Sequence, residues 1–251
     1  MLWVIDLDGV IWLGGEPIDG AAAAVERIRG AGDRVAFVTN NSGPTCAENV
    51  AMLAAAGVEA DEAELVTSAQ AGASLFAPGA RVAVVGEDGI LEALADRGVS
   101  VVGPAEDPAG VIVGRALDLE YDRLAAAAAA IRGGARFVAT NTDSTFPTPS
   151  GLLPGAGALV AYLATASGVA PEVAGKPHPP VADLVRSRFG AVDIMVGDRP
   201  DTDGLFAATI AARFALVLSG VTSRADLPID PVPDVIGADL AEVADQLLCP
   251  S

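Results

Sequence analysis

Met1-Leu-Trp-Val-Ile-Asp6-Leu-Asp8-Gly9-Val10 is the stretch on which the fold turns. Leu2 to Ile5 is an apolar run of strand length with no polar face, the composition of a strand buried on both sides in a parallel sheet. The run ends on two carboxylates, Asp6 and Asp8, two positions apart. On extended chain that spacing turns both side chains to the same side, so both can reach one ligand. A solvated turn is the ordinary reading of such an Asp and Gly cluster, so the rest of the chain has to decide between the two.

Outward from this segment the same pattern repeats. Short apolar runs predict strands at Arg34 to Val38, Arg81 to Val85, Val99 to Val102, Val111 to Val113, Arg136 to Ala139, Asp193 to Val196 and Ala215 to Leu218. Ala-rich stretches between them predict helices at 20–29, 46–56, 88–96, 121–132, 156–167, 181–189, 202–212 and 239–248. Such alternation implies parallel α/β architecture with helices on both faces of the sheet. Three strands end on polar residues: the first on Asp6, the second on Thr39, and the seventh, through Gly197, on Asp198. Ligands of open parallel sheets bind beyond the carboxyl ends of the strands, so these three ends can converge on one site.

The chain has 251 residues, 51% of them hydrophobic, enough for an ordinary buried core; disorder and a disulfide-stapled miniprotein are excluded. Fifteen basic residues against 33 acidic ones give a formal charge of -18, which repels a phosphate backbone or an anionic leaflet. No nucleic-acid or membrane partner is expected. An anionic substrate then has to be drawn in locally, by a cation or by aligned backbone N–H groups. Arginines interrupt the apolar runs before they reach bilayer length, and the opening segment lacks the basic start of a signal peptide. Cys46 and Cys249 have no partners spaced for zinc, so a reducing, cytoplasmic setting is expected.

Four segments in order, Asp6-x-Asp8-Gly9, Thr39-Asn40-Asn41-Ser42, Gly175-Lys176-Pro177 and Gly197-Asp198-Arg199-Pro200-Asp201-Thr202-Asp203, resemble the four motifs of the haloacid dehalogenase-like hydrolases. The segment from Thr67 to Val173 resembles the large α/β cap of the subgroup containing p-nitrophenyl phosphate, phosphoglycolate, glycerol phosphate and pyridoxal phosphate phosphatases. Ala139-Thr-Asn-Thr-Asp-Ser-Thr-Phe-Pro-Thr148 and Gly151-Leu-Leu-Pro-Gly-Ala-Gly157 share that likeness. The resemblance implies a doubly wound, Rossmann-like core from residues 1–67 and 174–251, with an inserted α/β cap at 68–173. It also implies a homodimer joined through the caps.

The chemistry of these residues agrees with what the resemblance implies. A carboxylate can attack phosphorus and carry the phosphoryl group as an aspartyl phosphate, the part the family gives to Asp6. Asp8 would protonate the leaving alkoxide and then accept a proton from water, which requires a raised pKa. Asp6, Asp198, Asp203 and a phosphate cannot share a site without a cation. Mg²⁺ is expected, on carboxylates of Asp6 and Asp198 and the backbone carbonyl of Asp8, with Asp203 as an outer-shell or additional acidic ligand; Asp201 competes for that place. For both, the plain alternative is an acidic helix start capped by Thr202.

Lys176 is the only lysine among the 15 basic residues, and its compact charge suits the phosphoryl oxygens and the nucleophile. Thr39 and Asn40 would offer a hydroxyl and backbone N–H groups to the phosphate. Val138-Ala-Thr-Asn141 echoes the second motif without a carboxylate pair nearby; the loop after it, with Asn141, Asp143 and Thr145, is expected to face the substrate's leaving group. His178 reads as a surface or supporting residue, and Trp3 and Trp12 as packing. The expected activity is a Mg²⁺-dependent phosphatase for small phosphorylated metabolites. The alternatives are a phosphotransferase or phosphomutase using the same aspartyl phosphate, a non-catalytic phosphate-binding protein of the same fold, and a receiver-like module. The last fails on length and on Lys176 preceding Asp198.

Overall fold

A computed structural model describes residues 1–148 and 151–248, so Cys249 lies outside the described residues. The chain is α/β and builds two parallel sheets. One has six strands in the order Val235–Gly237, Arg213–Val217, Ile194–Gly197, Leu2–Ile5, Arg34–Thr39 and Leu65–Thr67. The other has five, in the order Glu172–Val173, Arg136–Ala139, Gly110–Val113, Arg81–Val85 and Ser100–Val101. Sheet membership changes between Thr67 and Arg81 and again between Val173 and Ile194, so the second sheet is inserted into the first.

Leu2–Ile5 lies at the centre of the six-stranded sheet, paired with Ile194–Gly197 on one side and Arg34–Thr39 on the other. Its residues alternate between two apolar layers, as the two-residue period of a strand requires. Trp3 and Ile5 pack with Val35, Phe37, Ile28, Leu53 and Val243 on one face. Leu2 and Val4 pack with Ala36, Val38, Val185, Phe206 and Leu216 on the other. That second layer continues through Ala69, Ala71 and Ala73 of the helix Ser68–Ser74 into Val82, Val84, Ile112 and Val138 of the five-stranded sheet. One contiguous apolar cluster therefore joins the two sheets, and it fixes the cleft between their carboxyl ends.

The predicted strands and most predicted helices form within two residues of their expected bounds. Leu65–Thr67 and Val235–Gly237 are missed edge strands, each three residues long and too short to show a period. The helix Ser68–Ser74 was also missed, because Ser-Ala-Gln-Ala-Gly-Ala-Ser has no amphipathic pattern; Thr67 and Gln70 start it with a reciprocal cap. The helix expected over 202–212 is instead a wide π turn, Pro200–Gly204, followed by Leu205–Ile210. Asp203 causes the difference. Its carboxylate turns inward, and one oxygen accepts the N–H of Arg199 at 3.1 Å. No helix of the described residues is long and apolar enough to cross a membrane.

Phe37 is fully buried in the layer beneath the central strand. Phe37→Ala is expected to lower the unfolding free energy by about 3–5 kcal/mol in urea denaturation. A loss below about 1 kcal/mol would contradict this packing.

Candidate active site

The carboxyl ends of Leu2–Ile5, Arg34–Thr39 and Ile194–Gly197 are neighbours in the sheet, so Asp6, Thr39 and Asp198 enter one cavity of about 270 Å³. Asp8, Asn40 and Lys176 also line it, with Asn141 and Asp143 from the loop after Arg136–Ala139 and Thr145 from the start of the strand Thr145–Thr148. The structure thus brings Asp6, Asp8, Thr39, Asn40, Asn141, Asp143, Thr145, Lys176 and Asp198 into one cavity. Asp203 lies just behind the cavity wall, fully buried, whereas Asp201 is exposed beside Arg199.

Lys176 holds the centre. Its Nζ lies 2.8 Å from Asp6 Oδ1 and 2.7 Å from Asp203 Oδ1, and its side chain is 1% exposed. Burial alone would lower the pKa of this ammonium, but Asp203 and Asp6 together raise it above the ordinary lysine value. Asn40 fixes the backbone beneath it. Asn40 Oδ1 accepts the Lys176 N–H at 2.8 Å, and Nδ2 donates to the Lys176 carbonyl at 3.2 Å and to Asp143 Oδ2 at 3.2 Å. The Asn40 side chain is therefore committed to protein partners, and only its backbone N–H remains for a ligand. Thr39 Oγ1 accepts the N–H of Asn41 at 3.0 Å, which leaves its hydroxyl hydrogen to be donated.

Burial raises the carboxyl of Asp6 well above the usual carboxylate range; Lys176 opposes this, and Asp203 and Asp198 reinforce it. Asp198 is pushed up to about 7, first by burial and then by the charge of Asp203, against a hydrogen bond from Val221 N at 2.6 Å. Burial also raises Asp8, and a hydrogen bond from Trp12 opposes it.

Oxygens of Asp6, Asp198 and Asp203 lie within 4.8 Å of one another. Asp198 Oδ1 is buried with no hydrogen-bond partner. A buried anionic oxygen without a donor is costly, and a hard divalent cation with oxygen ligands relieves it. Small residues make room here: a Cβ at Gly9 or at Gly220 would lie 2.4 Å or 2.0 Å from Asp198 Oδ2. The donor set fits Mg²⁺.

Trp12, Arg115 and Arg199 add polar groups to the cavity whose roles were not foreseen. Trp12, read as packing, donates its indole N–H to Asp8 Oδ1 at 3.1 Å. Arg115 lines the cavity, paired with Glu87 at 2.6 Å and lying 5.3 Å from the Phe146 ring centroid. It stands just past Gly110–Val113, so the strand-end rule that selected Asp6 would have found it. Arg199 stands inside the fourth motif and also lines the cavity. His178 stands at the position before the helix Pro179–Phe189 without a capping side-chain hydrogen bond, outside this cavity's lining, and burial lowers its pKa.

Over 247 residues, 94% of this chain and 69% of the relative, the sequence is 42% identical to D-glycerol 3-phosphate phosphatase of Mycobacterium tuberculosis. The chain belongs to the haloacid dehalogenase-like hydrolases. Profiles described as haloacid dehalogenase-like hydrolase and HAD-hydrolase-like match residues 3–100 and 173–243. Acid sugar phosphatase of Staphylococcus saprophyticus is 35% identical over 256 residues, covering 98% of this chain and 97% of that one. The crystal structure of glycerol phosphate phosphatase from M. tuberculosis in complex with magnesium superposes with a TM-score of 0.89 at 40% identity, over 96% of this chain and 74% of that one. The resemblance read from the four motifs is borne out.

The raised carboxyl of Asp198 gives this hydrolase a signed pH dependence. Without a cation the folded protein keeps a proton on Asp198 that the unfolded chain has released by about pH 4. The stability this group contributes is full below that pH and is lost as pH rises through about 7. In EDTA, Asp198→Asn is expected to melt about 3 °C or more above the parent near pH 8, and to lose less of its Tm between about pH 5 and 8. A variant melting below the parent near pH 8 would contradict this.

Proposed function

We propose that this haloacid dehalogenase-like hydrolase is a Mg²⁺-dependent phosphatase that hydrolyses small phosphorylated metabolites through an aspartyl phosphate on Asp6. The observation that carries the reading is the placement of Lys176 Nζ between Asp6 and Asp203, with an unpartnered oxygen of Asp198 beside them. The named activities of the M. tuberculosis and Staphylococcus relatives support the phosphomonoester class.

Asp6 and Asp198, with Asp203 behind them and the backbone carbonyl of Asp8, would hold Mg²⁺. When bound, the ion neutralises carboxylate and phosphoryl charge. Lys176 pairs with Asp6 and would add positive charge where the phosphoryl oxygens sit. Thr39 Oγ1 and the backbone N–H of Asn40 donate to those oxygens. An Asp6 oxygen forms a bond to phosphorus while the ester P–O bond breaks; the bond pair stays on the leaving oxygen, which takes the proton from Asp8. Water then attacks phosphorus and gives a proton back to Asp8, and the pair of the breaking bond returns to Asp6.

Residues 68–173 act as the cap in this reading, with 1–67 and 174–251 as the catalytic core. Asn141, Asp143 and Thr145 would face the leaving group from the cap side, which supports a role in substrate choice. Closure over the site would exclude bulk water from the first step. A cytosolic setting rests on the two cysteines, and pairing of two copies through the caps rests on the resemblance alone.

Asp6→Asn is expected to lower p-nitrophenyl phosphate hydrolysis at least about 10³-fold with an unchanged circular dichroism spectrum. With a ³²P-labelled substrate, the acid-quenched parent carries label on Asp6. Retention of a tenth or more of the parent rate in Asp6→Asn would overturn the assignment. EDTA is expected to abolish turnover and Mg²⁺ to restore it, with Asp198→Ala requiring at least about tenfold more Mg²⁺ for half-activation.

A further inference from the structure

Residues 7–12 form a closed loop. The N–H groups of Val10, Ile11 and Trp12 all donate to the Leu7 carbonyl, at 3.2, 2.8 and 3.3 Å, and Gly9 N donates to the Trp12 carbonyl at 2.7 Å. Ser219 Oγ pins the far side by donating to the Gly9 carbonyl at 2.7 Å. Gly9 has φ of 84°, a conformation that other residues rarely adopt. This path returns Trp12 to Asp8. The Trp12 side chain is buried among Leu7, Val10, Ile11 and Ala21, and its Nε1–H reaches Asp8 Oδ1 at 3.1 Å. An indole N–H only donates, so it makes the two oxygens of Asp8 unequal.

We propose that Trp12 is a positioning residue for the general acid: it holds Asp8 Oδ1 and reserves Oδ2 for the proton that goes to the leaving group. The proposal rests on the reading of Asp8 as that acid. As Asp6 bonds to phosphorus and the ester P–O bond breaks, the leaving oxygen keeps the bond pair and takes the proton from Oδ2. Asp8 is then a full carboxylate, and the bond from Trp12 becomes charge-assisted, stronger after proton transfer than before it. A phenylalanine at position 12 would occupy much of the same space without a donor, leaving the Asp8 carboxyl group free to rotate.

Leaving-group dependence separates this role from general support of the fold. Nitrophenolate departs readily without a proton, whereas phenolate needs one more, so kcat/KM is measured for p-nitrophenyl phosphate and phenyl phosphate in the parent, Trp12→Phe and Asp8→Asn. The ratio of the two kcat/KM values is expected to rise about fivefold or more in Trp12→Phe, and further in Asp8→Asn. Equal losses on both substrates in Trp12→Phe, with the ratio raised in Asp8→Asn, would overturn the role of Trp12 and keep that of Asp8. An unchanged ratio in Asp8→Asn would remove the acid assignment, and the proposal with it. A second measurement does not need Trp12→Phe to fold. In ¹⁵N-labelled protein the two indole N–H resonances come from Trp3, bonded to Asp33, and Trp12. Asp8→Asn is expected to shift one of them; if neither moves, the contact on which the proposal stands is absent.

Discussion

One buried ammonium governs the architecture of the site. Lys176 sits between Asp6 and Asp203 with almost no exposure, in a chain carrying a formal charge of -18. Carboxylates and an ammonium removed from water each lose several kcal/mol of hydration, which is recovered only where geometry is close and the remaining valences are filled. Both ion pairs here are within hydrogen-bond distance, and the second oxygen of Asp203 is taken by Arg199 N. The wide turn at Pro200–Gly204 follows from the same requirement, since a regular helix beginning at Thr202 would carry Asp203 along its own surface instead.

Position matters as much as charge, and Asn40 supplies it. Gripping both the N–H and the carbonyl of Lys176, and touching Asp143 as well, its side chain ties the end of one central strand to the lysine loop and to the loop after Arg136–Ala139. Asn141 Nδ2 and Ser68 Oγ both donate to the Asn40 carbonyl at 2.6 Å. Polar links of this kind cross from one sheet to the other beside the cavity, and the shared apolar layer through Ala69, Ala71 and Ala73 joins the sheets beneath it. Cavity shape is thus set by packing some distance from the charged groups, while the charges are set by short polar contacts.

Much of this could be read along the chain. The buried run Leu2 to Ile5 and the alternation around it are local patterns, and they fixed the α/β class and the strands whose ends meet. The lone lysine stood out because every other basic residue is arginine. Trp12 did not stand out, because an indole four residues from an aspartate carries no signal until the backbone at Gly9 doubles back. Arg115 was within reach of the same rule, since it stands just past a predicted strand, but that strand belongs to a different sheet from Asp6, and only the packing of the sheets shows that its side chain enters the same cavity.

The sequence by itself determined which residues are apolar, which carry charge, and with what period each segment buries a face. Those are properties of neighbours along the chain. Only the tertiary structure decided that Asp203 turns inward while Asp201 stays exposed, and that the side chain of Asn40 grips Lys176. Two positions separate the first pair and 136 the second, and in both cases the outcome depends on the backbone path and on burial, which exist only once the sheets have packed.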